Sequence, residues 1–233
     1  MKIVNAKELK PVALNVLIYG DSGVGKTSLM ATAPAPVLLL DMEGGTLPLA
    51  GKDVDIVHVT SPKDIEEAYK VLKENGKYKT VVLDSITEML RIVLEHVVKS
   101  NPTVSRAYGD QPSLSDYGRL NELMRRNLRA FRDLPIHTFF TALAQDMKDE
   151  TDGTITRMPN LSGKLPYEVA GYMDIVGYMV AQEDKENGEI KRAVLVQPRG
   201  KIMAKDRTGK LGSAVTADVS KWLSAINGKG VKK

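Results

Sequence analysis

Short, largely apolar runs alternate with segments of helical periodicity along the first two thirds of the chain. The apolar runs cover residues 14–19, 37–40, 54–59, 80–83 and 136–142. Runs of this kind are typical of strands that are buried on both faces, and such strands occur in parallel sheets covered by helices. The pattern therefore predicts an α/β fold with a mostly parallel, doubly wound sheet.

Helical patterns fill the segments between these runs. Ser61 and Ser85 are good N-cap residues, and Pro62 suits the first turn of a helix because its φ is already close to the helical value. The predicted helices cover residues 26–33, 62 to about 74, 86 to the start of a polar loop at 100–115, about 116–133, and 216–226.

The last third has a different pattern. Residues 174–182 and 190–197 read as strands joined by a turn at Asn187-Gly188, which is a strong hairpin signal. A weaker hairpin is indicated at Asp152-Gly153. We therefore expect an antiparallel C-terminal extension of the parallel sheet, within a single domain over residues 1–226 and before a flexible basic tail at 227–233.

Composition narrows the class of protein. The chain has 233 residues, 42% of them hydrophobic and 27% charged, as in ordinary globular proteins. The absence of cysteine excludes disulfides and thiolate zinc sites. No stretch approaches the roughly 20 apolar residues that a membrane-spanning helix needs. These features predict a cytoplasmic protein that makes no use of a membrane.

The net charge of +4 is unevenly distributed. Residues 185–233 contain twelve Lys or Arg and four Asp or Glu, so the rest of the chain is slightly acidic. A basic C-terminal part indicates an anionic partner, either nucleic acid or the triphosphate bound to a neighbouring subunit. A basic surface that only faces water is the alternative.

Residues 20–27 match the pattern G-x-x-x-x-G-K-[ST] at every fixed position, directly after an apolar run and before a helix. In such a loop the backbone N–H groups face phosphate oxygens. Lys26 is expected to reach the β- and γ-phosphates, and the hydroxyl of Thr27 to hold Mg²⁺. The alternative is a chance glycine-rich turn. The predicted phosphate-binding residues are Gly20, Asp21, Ser22, Gly23, Val24, Gly25, Lys26, Thr27 and Ser28.

Two acidic residues follow apolar runs. Asp84 closes the run 80–83 and is expected to support Mg²⁺ beside Thr27. The alternative, a helix cap, is a role that Ser85 could fill. Glu43 lies just past the run 37–40, where it could deprotonate the attacking water as a general base. The alternative for Glu43 is an exposed loop acid before two glycines.

These motifs together resemble the RecA-like P-loop ATPases. The resemblance is carried by the phosphate-binding loop, by Asp41-Met42-Glu43, and by an aliphatic run that ends in Asp84-Ser85. Residues 159–164, 174–176 and 205–209 are similar to the phage-type AAA/RecA-like nucleotide-binding proteins, a group that includes the Sak-type single-strand annealing recombinases. The resemblance extends over nearly the whole chain.

The resemblance implies a Mg-ATP-binding ATPase that acts in DNA recombination as a head-to-tail homo-oligomer, a ring or a filament, on single-stranded DNA. It implies that Lys205 and Arg207 reach the γ-phosphate of the adjacent subunit, as an arginine finger does; a solvated basic turn is the alternative. At the end of the run 136–142, where such proteins carry a polar sensor of the γ-phosphate, this chain offers Thr141 or Gln145.

The residues themselves give little direct indication of nucleic-acid binding. Arg125, Arg129 and Arg132 share one face of a predicted helix, which fits phosphate binding, a solvent face or a subunit interface equally well. Arg199 and Lys201 could extend such a surface. Residues 145–159, the segment that corresponds to a DNA-binding loop in RecA-like proteins, are acidic. The DNA hypothesis therefore depends on the resemblance.

Two other functions fit a phosphate-binding loop. One is a kinase that phosphorylates a small molecule, although no arginine-rich lid is evident. The other is a nucleotide-switched regulatory or assembly protein with negligible turnover. The guanine-specific signature Asn-Lys-x-Asp is absent from the sequence, which favours ATP over GTP.

Overall fold

A mixed β-sheet forms the centre of the molecule. The computed structural model describes residue 5 and residues 13–74, 76–100, 111–185 and 187–228. In these ranges the strands are β1 (Asn15–Gly20), β2 (Val37–Asp41), β3 (Val54–His58), β4 (Thr80–Asp84), β5 (His137–Lys148), β6 (Ile155–Pro159), β7 (Ile175–Glu183), β8 (Ile190–Leu195), β9 (Lys205–Asp206) and β10 (Ala214–Thr216).

Helices pack on both faces of this sheet. They are α1 (Lys26–Met30), α2 (Pro62–Glu74), α3 (Ile86–Lys99), α4 (Leu114–Arg132), α5 (Leu165–Tyr172) and α6 (Val219–Ile226). Within the described ranges, none of the helices is both long enough and apolar enough to cross a membrane.

The main path of the sheet runs β3-β2-β4-β5-β1-β7-β8-β10, with β6 paired to β5 and β9 to β7. All pairings from β3 to β7 along this path are parallel, and the remaining ones are antiparallel. This arrangement confirms the predicted α/β class, with a mostly parallel sheet and an antiparallel C-terminal extension. The strand β5 separates β1 from β4, and the carboxyl ends of all three lie at one edge of the sheet.

Alternating side chains of the central strands fill two separate apolar layers, because successive residues of a strand face opposite sides of the sheet. On β4, Val81 and Leu83 join the layer under α2, α3, α4 and α5. Val82 joins the layer under α1 and α6, where Trp222 is 2% exposed. The predicted C-terminal helix thus completes one of the two cores.

Several boundaries differ from those predicted. The run 54–59 is not a buried strand: among the described strands β3 pairs only with β2, at the edge of the sheet, and its Asp55 and His58 are exposed. The helix predicted at 26–33 ends at Met30. The strand β7 was expected in the antiparallel extension, but it pairs in parallel with β1 and belongs to the core. Helix α5 and strands β9 and β10 carry no strong periodic signal and were not predicted.

The strand β5 continues six residues past Ala142, where the apolar run ends. From Ala144 onwards it pairs with β6 in an antiparallel hairpin. The strand β6 thus supplies hydrogen-bond partners for the backbone N–H and C=O groups of β5 after β1 and β4 have ended. This confirms the weaker hairpin at Asp152-Gly153. Residues 101–110 of the predicted polar loop and residues 229–233 of the predicted tail lie outside the described ranges.

The arginine face of α4 is directed at α5. Arg125 makes a bidentate ion pair with Glu168, with N–O distances of 2.5 and 3.0 Å. Arg129 donates to the hydroxyl of Tyr172 at 2.9 Å, and the guanidinium groups of Arg129 and Arg132 lie 4.8 and 5.6 Å from the centre of the Tyr172 ring. These contacts hold α4 against α5 within the chain. The arginine face of α4 therefore already has intramolecular partners.

Candidate active site

The loop that joins β1 to α1 carries the phosphate-binding motif. Gly25 has φ of 105°, a left-handed conformation that favours glycine. A Cβ atom on Gly20 would lie 2.7 Å from the carbonyl oxygen of Met179, so the neighbouring strand β7 also requires glycine there. Two of the fixed glycines of the motif are therefore needed for the shape of the loop itself.

Lys26 lies across the inside of this loop. Its ammonium group donates to the carbonyl oxygens of Gly20 at 3.1 Å and Asp21 at 2.9 Å. Burial lowers the pKa of Lys26, and the nearby carboxylates of Glu43 and Asp84 act in the opposite direction. A cation held at the loop and close to two carboxylates is suited to a polyphosphate that arrives together with a metal ion.

Asp84 is the buried centre of the site, with 4% of its surface exposed. The hydroxyl of Thr27 donates to its Oδ2 at 2.6 Å, and the hydroxyl of Thr141 donates to its Oδ1. Burial raises the pKa of Asp84, the two hydroxyl groups lower it, and Glu43 raises it further. The structure thus brings Thr27 and Asp84 together as the sequence predicts.

The same pair fits a magnesium ion. A carboxylate and a hydroxyl oxygen are hard donors of the type that Mg²⁺ prefers, and Mg²⁺ is commonly held by one or two carboxylates and by substrate phosphates. The alternative role of Asp84 as a helix cap is filled by Ser85, whose side chain accepts from the backbone N–H of Glu88 at the start of α3.

Glu43 reaches the site from the loop after β2. The strands β2 and β4 pair with Asp41 opposite Asp84, and the N–H of Met42 donates to the carbonyl oxygen of Asp84 at 2.8 Å. The hydroxyl of Ser85 donates to the carboxylate of Glu43. The exposed Glu43 therefore lies beside the buried Asp84.

Sequence reasoning missed the residues that shape the Glu43 loop. Asp41 is buried, and its Oδ1 accepts the backbone N–H groups of Glu43 at 3.2 Å and Gly44 at 2.8 Å. Its Oδ2 lies 3.0 Å from Nδ1 of His58 on β3. The signal for Asp41 was present, because a carboxylate at the end of a buried strand commonly bonds the backbone two residues on.

The two sensor candidates have different surroundings. Thr141 contacts Asp84 directly, as described above. Gln145 donates instead to the carbonyl oxygens of Pro159 at 3.1 Å and Leu161 at 3.2 Å, at the end of β6. Thr141 therefore belongs to the cluster around Asp84, whereas Gln145 bonds the base of the β5–β6 hairpin.

Lys205 and Arg207 lie near the amino-terminal end of β7, at the opposite end of the parallel strands from the phosphate-binding loop. Strand β9 pairs with the first residues of β7, where Asp206 is opposite Ile175 and Ile175 is opposite Val16. Val16 is four residues before Gly20, which corresponds to roughly 13 Å along a strand. Within one chain, these two cations are thus apart from Lys26, Glu43 and Asp84.

Both cations have partners in their own chain. Lys205 donates to the carbonyl oxygen of Ala170, and burial followed by the charge of Arg207 lowers the pKa of Lys205. Arg207 lies 3.3 Å from Oδ1 of Asp174 and donates to the carbonyl oxygen of Gly171 at 3.0 Å, with just over half of its side chain exposed. Both cations are therefore engaged away from Lys26 by partners in the described part of the chain.

Two further arginines flank the phosphate-binding loop. Arg192 on β8 donates to the carbonyl oxygen of Val24 at 3.1 Å, and Arg157 on β6 pairs with Asp21. A cavity of about 320 Å³ lies between this loop and β7. No sequence pattern indicates either arginine, because both are more than 130 residues from the loop that they contact.

Comparison with known proteins gives a matching family model and solved structures of similar proteins. Residues 13–208 match the model of a family described as an AAA domain. The crystal structure of a KaiC-like protein from the hyperthermophilic archaeon Pyrococcus horikoshii is similar over 78% of this chain and 77% of that chain, with 19% sequence identity and a TM-score of 0.42. No match was found among curated proteins.

Proposed function

This chain belongs to the AAA domain family, and on that premise we propose that it binds and hydrolyses Mg-ATP as a head-to-tail homo-oligomer on single-stranded DNA. The observation that carries the nucleotide part is the meeting of Thr27, Asp84 and Glu43 around Lys26 at one edge of the sheet. The DNA part, in recombination or strand annealing, rests on the family resemblance of the sequence.

Each residue of the site has a role in phosphoryl transfer to water. The ammonium of Lys26 supplies positive charge to the β- and γ-phosphates, and Thr27 with Asp84 would hold Mg²⁺. When bound, Mg²⁺ neutralises charge that builds up on the phosphate oxygens. Catalysis of this reaction is mainly positioning and electrostatic stabilisation, which suits a site held by the buried carboxylate at the end of β4 and the adjacent start of α1.

Glu43 is the proposed general base. Water bonds to the γ-phosphorus, the bond from the γ-phosphorus to the bridging oxygen of ADP breaks, and the carboxylate of Glu43 takes the water's proton. The backbone bonds from Glu43 and Gly44 to Asp41 hold the loop, and Ser85 directs the carboxylate. A carboxylate that is exposed but held in this way can accept a proton from a positioned water.

Assembly supplies the remaining cations. Lys205 and Arg207 lie at the opposite end of the parallel strands from the phosphate-binding loop. A head-to-tail contact can therefore present them to the next subunit's nucleotide. Positive charge that arrives across an interface stabilises the transition state and makes turnover depend on assembly. The intramolecular partner of Arg207, Asp174, is then exchanged for phosphate.

For DNA, the exposed cations of the C-terminal part are the proposed contacts. Arg199, Lys201 and Lys210 are exposed, whereas Arg125 and Arg129 on α4 are engaged with α5. Contacts to the phosphate backbone depend strongly on salt because cations are released from the nucleic acid. We therefore assign Arg199, Lys201 and Lys210, and not α4, to DNA.

The test is ATP turnover measured with and without single-stranded DNA, together with the mass of the assembly. We expect DNA to stimulate turnover, with an effect that weakens as salt rises, and Lys26→Ala to remove turnover in both conditions. Turnover that DNA leaves unchanged would refute the DNA part alone. Tight nucleotide binding without turnover would indicate a nucleotide switch, and phosphate transfer to a metabolite would indicate a kinase.

A further inference from the structure

The guanidinium group of Arg157 lies at the entrance of the phosphate-binding loop. Its Nη2 pairs with Oδ1 of Asp21, and its Nη1 lies 3.0 Å from Oδ2 of Asp146 on the neighbouring strand β5. The guanidinium carbon is 5.7 Å from the centre of the Tyr178 ring. One quarter of the Arg157 side chain is exposed, so this cation is held on three sides.

The backbone of Arg157 is fixed as well. Its carbonyl oxygen lies 3.0 Å from the hydroxyl of Tyr19, the residue before the phosphate-binding loop, and accepts the N–H of Met203 at 3.0 Å. Its own N–H donates to the carbonyl oxygen of Lys201 at 2.8 Å. Arg157 is thus connected both to the strand that leads into the loop and to the β5–β6 hairpin.

Asp21 is an unfavourable residue in a loop that receives a polyphosphate. Among residues 20–27 it is the only acidic residue, and its side chain is 64% exposed. It lies near enough to Lys26 for its charge to raise the pKa of the lysine. A free carboxylate at this position would repel the phosphates of an incoming nucleotide. The pairing with Arg157 offsets that repulsion.

We propose that Arg157 is a positioning residue for nucleotide binding, which neutralises Asp21 and thereby keeps the phosphate-binding loop receptive to a polyphosphate anion. The proposal rests on the proposed ATP site and extends it. It also makes the β5–β6 hairpin part of that site, because any displacement of β6 would withdraw the guanidinium from Asp21.

The test is a charge-compensation series with Mg-ATPγS as the ligand, measured by calorimetry on the full chain without DNA. We expect Arg157→Met to weaken binding about tenfold, which is the size of effect expected for an uncompensated charge near a ligand. Arg157→Met combined with Asp21→Asn should recover wild-type affinity to within about twofold. Lys148→Ala, which removes an exposed cation from the same hairpin, should leave affinity unchanged.

Two results would overturn the proposal: equal affinity of Arg157→Met and wild type, or a double variant as weak as Arg157→Met. The second result would assign Arg157 a purely structural role. If Arg157→Met does not fold, Asp21→Asn alone decides: it should tighten binding, because it removes a negative charge from the loop and leaves Asp146 as the carboxylate partner of Arg157; weaker binding contradicts the idea. Failure of wild type to bind ATPγS would instead refute the proposed ATP site.

Discussion

The hydroxyl of Thr27 donates a 2.6 Å hydrogen bond to the carboxylate of Asp84, 57 residues further along the chain. Thr27 lies in α1, which follows β1, whereas Asp84 ends β4, and β5 lies between β1 and β4. From that intervening strand, Thr141 donates to the other oxygen of Asp84. A helix start and a neighbouring strand therefore meet the buried carboxylate at the end of β4, and this cluster is the part of the site that mutation tests most directly.

Asp84→Asn should lower Mg-dependent ATP turnover by at least about 100-fold, because the amide keeps the size of the side chain but loses the negative charge that holds the metal. Turnover measured against magnesium concentration checks this result. Thr141→Val, which removes one hydrogen bond and keeps the charge of Asp84, should have a smaller effect. Equal losses in the two variants would count against the metal role.

Glu43→Gln should reduce turnover by roughly 10² to 10⁴-fold and leave nucleotide affinity close to wild type, as expected for removal of a general base. Single-turnover kinetics and equilibrium binding separate the two effects. Ser85→Ala provides the matched comparison: it retains the carboxylate and disturbs only its direction, so the loss should be milder. Full turnover in Glu43→Gln would show that another group activates the water.

Arg207→Ala should retain ATP binding and lose turnover only at protein concentrations where the chain assembles, because the proposed contact is made in a neighbouring subunit. Turnover followed across a dilution series checks this dependence. Lys210→Ala removes an exposed cation three residues away and should follow wild type in the absence of DNA. A profile of Arg207→Ala that coincides with wild type at every concentration would eliminate the trans role.

The burial of His137 leads us to expect that the free energy of unfolding depends on pH. Its Nδ1 accepts the backbone N–H of Leu14 at 3.1 Å, and burial lowers the pKa of His137. The unfolded chain, in which histidine has a pKa of about 6.5, then binds a proton more readily than the folded chain. The free energy of unfolding should therefore be highest above about pH 6.5 and fall as the pH decreases below that value.

Denaturant unfolding between pH 8 and pH 5 measures this effect. His137→Gln should flatten the decrease in stability on the acid side. His96→Gln, which changes an exposed histidine on α3, should leave the slope as in wild type. Identical slopes for all three proteins would mean that other groups cause the acid sensitivity.

Trp222→Ala should lower the free energy of unfolding by about 3–5 kcal/mol, since it empties a large buried volume under α6. Trp222→Phe should cost less, because it keeps most of the apolar contact and loses the 2.7 Å hydrogen bond to the carbonyl oxygen of Thr216. Lys221→Ala, at an exposed position of the same helix, should stay within about 0.5 kcal/mol of wild type. A small effect of Trp222→Ala would show that α6 is not part of the core.

Local sequence patterns were sufficient to predict the fold class, the phosphate-binding loop and the carboxylate of Asp84. The spacing of glycines and Lys26 defines the phosphate-binding loop, because few sequences allow that backbone path. A short apolar run that ends in Asp84, followed by Ser85 and a helical period, predicts a strand, a carboxylate at its end and a capped helix. Such features depend on neighbouring residues, so periodicity and residue type report them.

Long-range placement was decided only by tertiary structure. An apolar run does not show which strands become its neighbours, so the exposure of β3 at the sheet edge and the parallel pairing of β7 were not predicted. Nor does a helical period show what its charged face contacts, and the arginines of α4 proved to bind α5. The pairing of Arg157 with Asp21 joins residues 136 positions apart. Contacts of this kind arise from packing of the whole sheet, and no local pattern of residues encodes them.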